Sequence, residues 1–362
     1  MPLRLVVDGR WLQQPMHGIA RYTLELLRHL PLSAQDQVFV LYRKQDFSPR
    51  DLSATDARLP LHWIEVKSPL FSWKEAREFP PLMAKLRPQL VHFPGFWHSS
   101  SLKTPWVMTL HDLIHLQGDV SWKYAAYYRV LKRRLPQAKA VFTVSHASAR
   151  TLTAWAPEIK DKLKVTYLGL PEIPPLPHTD PLANPYFLYV GNAKPHKNTA
   201  LLFVAMEQLY HHLQRRNIAL RPQLITVGLP APTTLPPWHR PLRSISESQL
   251  HQLYAQATAV LMPSFEEGCG LPLLEGMAHR RPILASDIAV FREILNGSGV
   301  CLDPRQPSVW ARAMAAFFLP EDPYPDTVMA IQQRQATNAQ RFSWQHLAEA
   351  TYQCYQEVTR HD

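Results

Sequence analysis

Residues 259–287 read AVLMPSFEEGCGLPLLEGMAHRRPILASD, and they contain the structural unit that repeats along the chain. Two short apolar runs, AVLM (259–262) and PILA (282–285), have the length of buried strands. Between them lie a glycine-containing loop and a run in which Pro272 suits the first turn of a helix. A buried strand, a loop, a helix and a second buried strand predict a parallel βαβ unit.

The same alternation continues on both sides of this segment. In the first half, apolar runs predict strands near 3–7, 36–42, 61–66, 90–93, 106–110, 140–144 and 164–168, with helices near 18–30, 74–86, 122–136 and 146–155. In the second half, strands are predicted at 186–190, 224–227, 243–245, 259–262, 282–285 and 299–302, with helices at 197–213 and 343–358 among others. The pattern predicts an α/β protein with two doubly wound parallel sheets.

A proline-rich segment, LPEIPPLPHTDPLANP (170–185), interrupts this alternation and suits neither a helix nor a sheet. We therefore expect a first domain at 1–172, a linker at 173–184 and a second domain at 185–342. The helix at 343–362 is expected to cross back to the first domain. Two such domains enclose a cleft, and ligands bind at the carboxyl ends of parallel strands.

Composition excludes several classes of protein. Hydrophobic residues make up 46% of the 362 residues and charged residues 19%, which excludes a disordered chain. No apolar run approaches the ~18 residues of a membrane-spanning helix. The N-terminus lacks the basic stretch and long apolar core of a secretory signal, and the three cysteines form no C-x-x-C motif. These features predict a cytoplasmic protein without disulfides or a zinc ribbon.

The net charge of +10 lies entirely in the first half of the chain. Residues 1–172 hold 24 basic and 14 acidic side chains, whereas the remainder holds 15 of each. The segment 121–139 concentrates this charge, with Arg129, Lys132 and Arg133 opposite an apolar face of tyrosines and leucines. It is either an ordinary helix with a solvated face or a contact for an anionic membrane or a lipid-diphosphate acceptor. No nucleic-acid-binding module accompanies the charge, so nucleic acid is not expected.

Common cofactor motifs are missing from the sequence. The loop after the first strand is not G-x-G-x-x-G, and no G-x-x-x-x-G-K-[ST] occurs, which disfavours dinucleotide oxidoreductases and P-loop ATPases. No D-x-D occurs either, so the commonest carboxylate pair for a metal on a nucleotide diphosphate is missing.

The loop after AVLM carries candidate ligand-binding groups. Gly268 and Gly270 let the backbone approach a ligand, and the helix that follows presents N–H groups to an anion. Glu267 and Glu275 stand eight residues apart and can reach different ends of a polyol with a diphosphate in its middle. The alternative is that both carboxylates merely stabilise the start of the helix, at ~0.3–1 kcal/mol each.

EEGCGLPLLEGMA resembles the E-x7-E motif of retaining nucleotide-sugar glycosyltransferases of the GT-B fold, in glycosyltransferase family four, also called group 1. The resemblance extends through segments that occur in the family's order: HGIARYTLELL, MTLHDLIHL, FTVSHASAR, YVGNAKPHKN, SISESQLHQLYAQA, SDIAVFREI and the C-terminal helix. It covers nearly the whole chain. The resemblance implies two Rossmann-like domains that face each other across a cleft, the first binding the acceptor and the second the nucleotide sugar.

The resemblance also implies roles for particular residues. Glu275 would hold the donor ribose hydroxyls and Glu267 the donor hexose, while His111 would face the transferred sugar. Gly18 would shape the loop near the donor phosphate. The residues Gly268, Gly270 and Leu271 of the motif would belong to the donor site.

The family's diphosphate clamp is a basic residue followed by a lysine, and Lys197 in KPHKN matches that lysine. Its partner departs from the pattern, because His196 stands where arginine is frequent and Asn192 follows Gly191. Neutral imidazole offers one donor where guanidinium offers five, so we expect Lys194 to supply the missing charge. The alternative for Lys197 is a solvated lysine at a helix start. Cys269 also departs, since an aromatic residue is common there.

Histidines stand at two predicted strand ends. His111 and Asp112 follow WVMTL, which favours a functional role for the pair over an incidental one. His92 and His98 flank the end of another strand in VHFPGFWHSS, where the aromatic, hydroxyl-rich loop either stacks on a sugar or covers the acceptor site, or simply packs.

Together the residues and the resemblance predict a retaining transferase that moves a hexose from GDP-mannose or a UDP-sugar to a saccharide or lipid-linked saccharide, in surface polysaccharide biosynthesis. No metal or other cofactor is expected, and Glu267 acts as nucleophile or orients the sugar. The enzyme would be cytoplasmic, at the inner face of the membrane. The alternative is a catalytically idle GT-B-like protein that binds a polyanion or anionic membrane through its basic half.

Overall fold

The computed structural model describes residues 2–13, 16–49, 59–99, 102–116, 122–175, 184–231, 234–319 and 328–360. The chain divides into two compact units. The N-terminal unit comprises residues 1–169 together with 343–362, and the C-terminal unit comprises residues 170–342. Part of the expected linker, residues 176–183, lies outside the described residues.

The N-terminal unit is built on a seven-stranded sheet in the order β3-β2-β1-β4-β5-β6-β7. Its strands are β1 (Arg4–Asp8), β2 (Gln37–Tyr42), β3 (Leu61–Glu65), β4 (Leu90–Phe93), β5 (Trp106–Thr109), β6 (Ala140–Thr143) and β7 (Leu163–Val165). Its helices are α1 (Gly18–His29), α2 (Glu75–Leu86), α3 (Trp122–Arg134) and α4 (His146–Trp155). All neighbouring strands are parallel, and Val6 of β1 pairs with Phe39 on one side and Val91 on the other.

The C-terminal unit contains a six-stranded parallel sheet in the order β10-β9-β8-β11-β12-β13. Its strands are β8 (Tyr186–Val190), β9 (Gln223–Val227), β10 (His239–Leu242), β11 (Ala259–Met262), β12 (Ile283–Ser286) and β13 (Val300–Leu302). Its helices are α5 (Thr199–Arg215), α6 (Glu247–Gln256), α7 (Leu271–Ala278), α8 (Ala289–Leu295), α9 (Pro307–Ala315) and α10 (Val328–Ala339). The two parallel-sheet α/β units confirm the predicted fold class.

The last helix, α11 (Trp344–Arg360), belongs to the N-terminal unit. Its Tyr352 hydroxyl donates to Asp36 Oδ2 at 2.7 Å, just before β2. Trp344 packs so closely on Gly169 that a Cβ there would lie 2.3 Å from the Trp344 nitrogen. These contacts fix the C-terminal helix to the first sheet.

One strand prediction was wrong. The sequence predicted a strand at 243–245, whereas β10 ends at Leu242 and contains Pro241. Proline cannot donate a hydrogen bond to a neighbouring strand, but β10 is the edge strand of its sheet and tolerates it. Within the described part of the chain, no helix has the length and apolarity needed to cross a membrane.

Both sheets reverse their strand order at one point, between β1 and β4 in the N-terminal unit and between β8 and β11 in the C-terminal unit. The loops that leave these strand pairs diverge to opposite sides and open a crevice at the carboxyl ends. This geometry determines where each unit can hold a ligand.

Candidate functional site

The candidate site of the C-terminal unit lies where the loops after β8 and β11 meet. These strands are neighbours, with Leu188 paired with Val260. The loop after β8 ends in a short 3-10 helix, Pro195–Lys197, and the loop after β11 leads into α7. Parallel neighbours therefore bring the KPHKN and EEGCG segments of the sequence together.

Hydrogen bonds from Asn198 and Phe265 fix the loop after β8 to the loop after β11, and Asn198 also bonds to the segment after β13. The Asn198 side-chain amide donates to the carbonyls of Pro263 at 3.1 Å and Pro304 at 2.8 Å, with its backbone at φ 50° in the left-handed region. The Phe265 N–H donates to the His196 carbonyl at 2.7 Å. Asn198 was not singled out from the sequence, although asparagine is among the few residues that tolerate this conformation.

The loop after β8, which these contacts hold in place, brings Lys197 against Glu267. Lys197 Nζ donates to Glu267 Oε1 at 2.5 Å, and the Ser264 hydroxyl donates to the same oxygen at 2.8 Å. The side chains are only 19% and 9% exposed, so water screens this ion pair little. An ammonium group has three donors, so Lys197 can keep this contact and still bind an anion.

Gly270 shapes the turn into α7. Its φ of 84° is unfavourable for other residues, and a Cβ there would lie 2.8 Å from Phe291 Cε1. The helix begins at Leu271, with Pro272 in its first turn. Cys269 is buried, and burial together with the nearby Glu267 raises the pKa of its thiol, which therefore stays protonated. Leu271 and the buried Gly268 flank this turn.

Glu275 lies in the middle of α7 and is 8% exposed. The Tyr254 hydroxyl of α6 donates to Glu275 Oε2 at 2.6 Å. The Tyr254 ring stacks on His279, with ring centres 5.3 Å apart and planes at 19°. His279 Nδ1 in turn donates to the Glu275 carbonyl at 2.8 Å, because a carbonyl can only accept. Tyr254 thus orients the Glu275 carboxylate.

Lys194, which we expected to supply the charge of the arginine that this sequence lacks, lies in the turn before Lys197. Lys194 is exposed, and its backbone N–H donates to Asn192 Oδ1 at 3.2 Å. The Tyr189 hydroxyl donates to the Asn192 carbonyl at 3.0 Å. The structure therefore brings Lys197 to Glu267 and leaves Lys194 and Asn192 in the turn before it, with Lys194 on the solvent side.

In the N-terminal unit, His111 follows β5 and bonds to the loop after β4. Its Nε2 donates to the Pro94 carbonyl at 2.9 Å, and its ring packs edge-on against Tyr22 at 4.8 Å. Burial lowers the pKa of His111, against the opposing effects of Pro94 and Asp112. With Nε2 as the donor, the neutral ring has Nδ1 as an acceptor. Gly18 is the first residue of α1 in the same unit.

Behind His111 lies a buried chain of hydrogen bonds. The Tyr22 hydroxyl lies 2.8 Å from Thr109 Oγ1, which lies 2.8 Å from His92 Nε2. His92 Nδ1 lies 2.5 Å from the Tyr355 hydroxyl of α11. Burial lowers the pKa of His92 to about 3, so the ring is neutral. His92 is 0% exposed and its ring lies between the sheet and α11, so it cannot stack on a sugar.

His98 is also a packing residue. It is 3% exposed and its ring lies 4.9 Å from that of Trp106. Both histidines therefore pack inside the N-terminal unit.

Two basic residues of α3, Arg129 and Arg133, lie on the solvent side of the helix. Tyr128 and Leu131 are buried, whereas Arg129 and Arg133 are exposed. Lys132 is half-buried, with its Nζ 5.8 Å from the centre of the Trp155 ring.

The described residues contain no group of three or more His, Cys, Asp or Glu side chains that could hold a metal ion.

Comparison with known proteins identifies the family. Residues 17–169 match the model of the glycosyl transferase 4-like domain, and residues 184–318 match that of the glycosyl transferases group 1. O-antigen chain mannosyltransferase B of Escherichia coli is 25% identical over 389 residues, covering 98% of this chain and 99% of the relative. O-antigen chain mannosyltransferase RfbU of Salmonella typhimurium is 27% identical over 60% of this chain and 62% of its own length.

Solved structures agree on the fold. Sucrose-phosphate synthase from Thermosynechococcus elongatus superposes with a TM-score of 0.78 at 18% identity, over 100% of both chains. The chain belongs to the group 1 glycosyltransferases of the GT-B fold. It is a glycosyltransferase, and these matches do not support the alternative of an idle polyanion-binding protein.

Proposed function

We propose that this enzyme transfers a mannosyl residue, or a related hexose, from a nucleotide-diphosphate sugar to a saccharide in the biosynthesis of a surface polysaccharide. The donor is GDP-mannose or a UDP-sugar, and the reaction retains the anomeric configuration and needs no metal ion. Two relatives named O-antigen chain mannosyltransferases support this substrate class, one of them along nearly the full length of both chains.

One observation carries the proposal: a cation paired with a carboxylate stands at the loop before α7, and a second, oriented carboxylate stands within α7. Lys197 bonds to Glu267, and Tyr254 bonds to Glu275 within the same unit. In the proposed donor complex, Glu275 accepts hydrogen bonds from the ribose hydroxyls and Glu267 from hydroxyls of the hexose. Lys197 and the N–H groups at the start of α7 bind the diphosphate.

These groups suit the charge changes of glycosyl transfer. Cleavage of the bond between sugar and diphosphate builds positive charge on the anomeric carbon and negative charge on the departing phosphate oxygen. Lys197 and the helix N–H groups stabilise that oxygen without reorganising. In the retaining reaction the acceptor hydroxyl attacks from the side of the leaving group. Its proton passes to the departing phosphate oxygen, so charge and atoms balance.

The N-terminal unit supplies the acceptor side in this proposal. His111 is neutral, and its Nδ1 can accept a hydrogen bond from a sugar hydroxyl. The proposed acceptor is a saccharide or a lipid-diphosphate-linked saccharide on the cytoplasmic side of a membrane. Arg129, Lys132 and Arg133 of α3 remain proposed contacts for anionic lipid or for the acceptor diphosphate.

Calorimetry and product analysis test this proposal. GDP-mannose and UDP-sugars are titrated into the protein, and the product formed on a soluble saccharide acceptor is examined by NMR. A product whose anomeric configuration matches the donor supports retention, whereas an inverted product refutes it. Glu275→Gln should weaken donor binding without unfolding, because it removes acceptors and leaves the packing of α7 intact. Glu207→Gln on the exposed side of α5 is the matched control.

A further inference from the structure

A groove with a volume of about 820 Å³ lies between α5 and α9 of the C-terminal unit. Leu209 and Leu213 of α5 belong to the same apolar cluster as Ala311 and Ala315 of α9, so the two helices are packed together. Ala311 also lines the groove, which places this packed contact at its floor. Small-molecule sites in proteins have volumes of roughly 300–1,000 Å³, so the groove is large enough to hold such a ligand.

The walls of the groove are polar and basic. On α5 the lining residues recur at intervals of three and four, so they share one side of the helix, and the two polar residues from α9 are four apart and also share a side. These residues are Gln208, His211, His212 and Arg215 of α5, with Ser308 and Arg312 of α9. Guanidinium, imidazole, amide and hydroxyl groups can all donate hydrogen bonds, so the walls suit a ligand rich in acceptor oxygens.

The charge of this lining has one sign. None of the described residues that line the groove is acidic. Helix α5 has one acidic residue, Glu207, which is exposed and is not part of the lining, and α9 has none. A cleft lined by charge of one sign raises the local concentration of ions of the opposite sign. The groove therefore attracts anions.

His212 adds a polar atom that the protein itself does not satisfy. Its Nε2 is buried and has no hydrogen-bond partner among the described residues. Buried polar atoms in proteins are almost always hydrogen-bonded, so an atom without a protein partner calls for one from outside the chain. Because His212 also lines the groove, a ligand or a water molecule held there can supply that partner.

We propose that the groove between α5 and α9 binds a small phosphorylated molecule, with Arg215 and Arg312 on its phosphoryl oxygens. Guanidinium forms paired hydrogen bonds with such oxygens, and a phosphoryl group carries about −1.5 to −2 charges, which suits two arginines better than a single carboxylate does. The volume exceeds that of one phosphate, so Gln208 and Ser308 are left to bind the polar body of the ligand.

This site is separate from the proposed donor site. Helix α5 begins at Thr199, beside Lys197, whereas Gln208 lies nine residues further along, which is about 14 Å of helix. The groove contains none of the residues assigned to transfer. The inference therefore stands apart from the proposed reaction.

Calorimetry tests the inference with inorganic pyrophosphate, fructose 1,6-bisphosphate and unphosphorylated fructose. The titrations use Lys197→Met as well as wild type, because a diphosphate can also bind the proposed donor site. We expect the phosphorylated probes to bind Lys197→Met and fructose not to bind. Adding Arg215→Gln or Arg312→Gln should weaken binding about tenfold, equal to ~1.4 kcal/mol. The control is Arg216→Gln, an equal charge change at an exposed residue of α5 that does not line the groove.

The inference is overturned if Lys197→Met binds neither phosphorylated probe, or if Arg216→Gln weakens binding as much as the two groove variants do. It is also overturned if both groove variants bind as tightly as wild type. Selective weakening by Arg215→Gln and Arg312→Gln supports it. Tighter binding of the bisphosphate than of pyrophosphate then assigns the groove to a phosphorylated sugar, and equal binding assigns it to phosphoryl groups alone. A failure of the proposed transfer reaction would leave these titrations unaffected.

Discussion

Replacing Tyr254 with phenylalanine isolates one hydrogen bond of the candidate donor site. The change removes the hydroxyl that donates to Glu275 Oε2 at 2.6 Å and keeps the ring that stacks on His279. Tyr254 is 1% exposed, so water cannot easily replace the lost donor. We expect the folded protein to keep its packing while the Glu275 carboxylate loses one of its fixed partners.

The expected loss of stability follows from the negative charge of the Glu275 carboxylate, which accepts this hydrogen bond. A hydrogen bond to a charged group contributes about 1.5–3 kcal/mol, so the free energy of unfolding should fall by about that amount. Without this hydrogen bond the Glu275 carboxylate must be oriented when the donor binds. If that costs ~1.4 kcal/mol of binding free energy, donor affinity should fall about tenfold. The loss should fall on ligands with ribose hydroxyls, because Glu275 is proposed to bind those groups.

Calorimetry with a nucleoside diphosphate and its 2′-deoxy analogue measures this effect directly. Wild type should prefer the ribose form, and Tyr254→Phe should reduce that preference. In a cycle with Glu275→Gln, the second substitution should add little to the first. Tyr210→Phe is the control, since its hydroxyl donates to the Pro222 carbonyl at 2.9 Å elsewhere in the unit. An unchanged preference in Tyr254→Phe, or free energies that simply add, would refute the reasoning.

Three further predictions concern the metal dependence of transfer, the role of Lys197 and the pH dependence of stability. Transfer activity should survive EDTA, and a complete loss that Mg²⁺ or Mn²⁺ restores would contradict the metal-independent proposal. Lys197→Met should lower kcat/KM about 10²-fold or more, as for other lost stabilisers of a developing anion, and steady-state kinetics showing no loss would exclude this role. His92 has a folded pKa of about 3, below its unfolded value of ~6.5. The unfolded chain therefore binds more protons between these values, so the stability contributed by neutral His92 is complete above ~6.5 and is lost as the pH falls toward about 3. Urea unfolding of His92→Gln across this range should show a weaker pH dependence than wild type.

The local features of this fold were predictable from the sequence because they depend on neighbouring residues. Apolar runs of four to six residues gave strands, and AVLM with the following glycines located the turn into α7. Glu267, Glu275 and Lys197 could be singled out because their segments match a motif. The short β10 was misplaced, because its register depends on pairing with β9 and its apolar content is low.

The partners of these residues could not be predicted, because the contacts join distant parts of the chain. Tyr254 and Glu275 are separated by 21 residues, and Lys197 and Glu267 by 70. His92 and Tyr355 are 263 residues apart and meet only because α11 belongs to the N-terminal unit. A histidine at a strand end has the same sequence pattern whether it faces a ligand or, like His92, a buried tyrosine.

An acidic residue of α2 also has a partner that lies far away in the sequence. Glu75 and Glu78 are the two acidic residues of α2. In the structure, Arg10 lies between Asp8 and Glu75, with Nη2 2.6 Å from Asp8 Oδ2 and Nη1 2.5 Å from Glu75 Oε1. Burial acts to lower the pKa of Arg10, yet the two carboxylates raise it overall and keep the guanidinium charged.

Freeing Glu75 from this arrangement would leave an arginine buried beside a single carboxylate. Breaking a buried ion pair by removing one partner costs about 3–5 kcal/mol, more than a solvent-exposed carboxylate gains from neighbouring cations. Glu75 is therefore held inward, away from the exposed Arg77 and Lys85 of the same helix. The same ion pairs that stabilise the carboxyl end of β1 thus keep the Glu75 carboxylate away from the outer surface of α2.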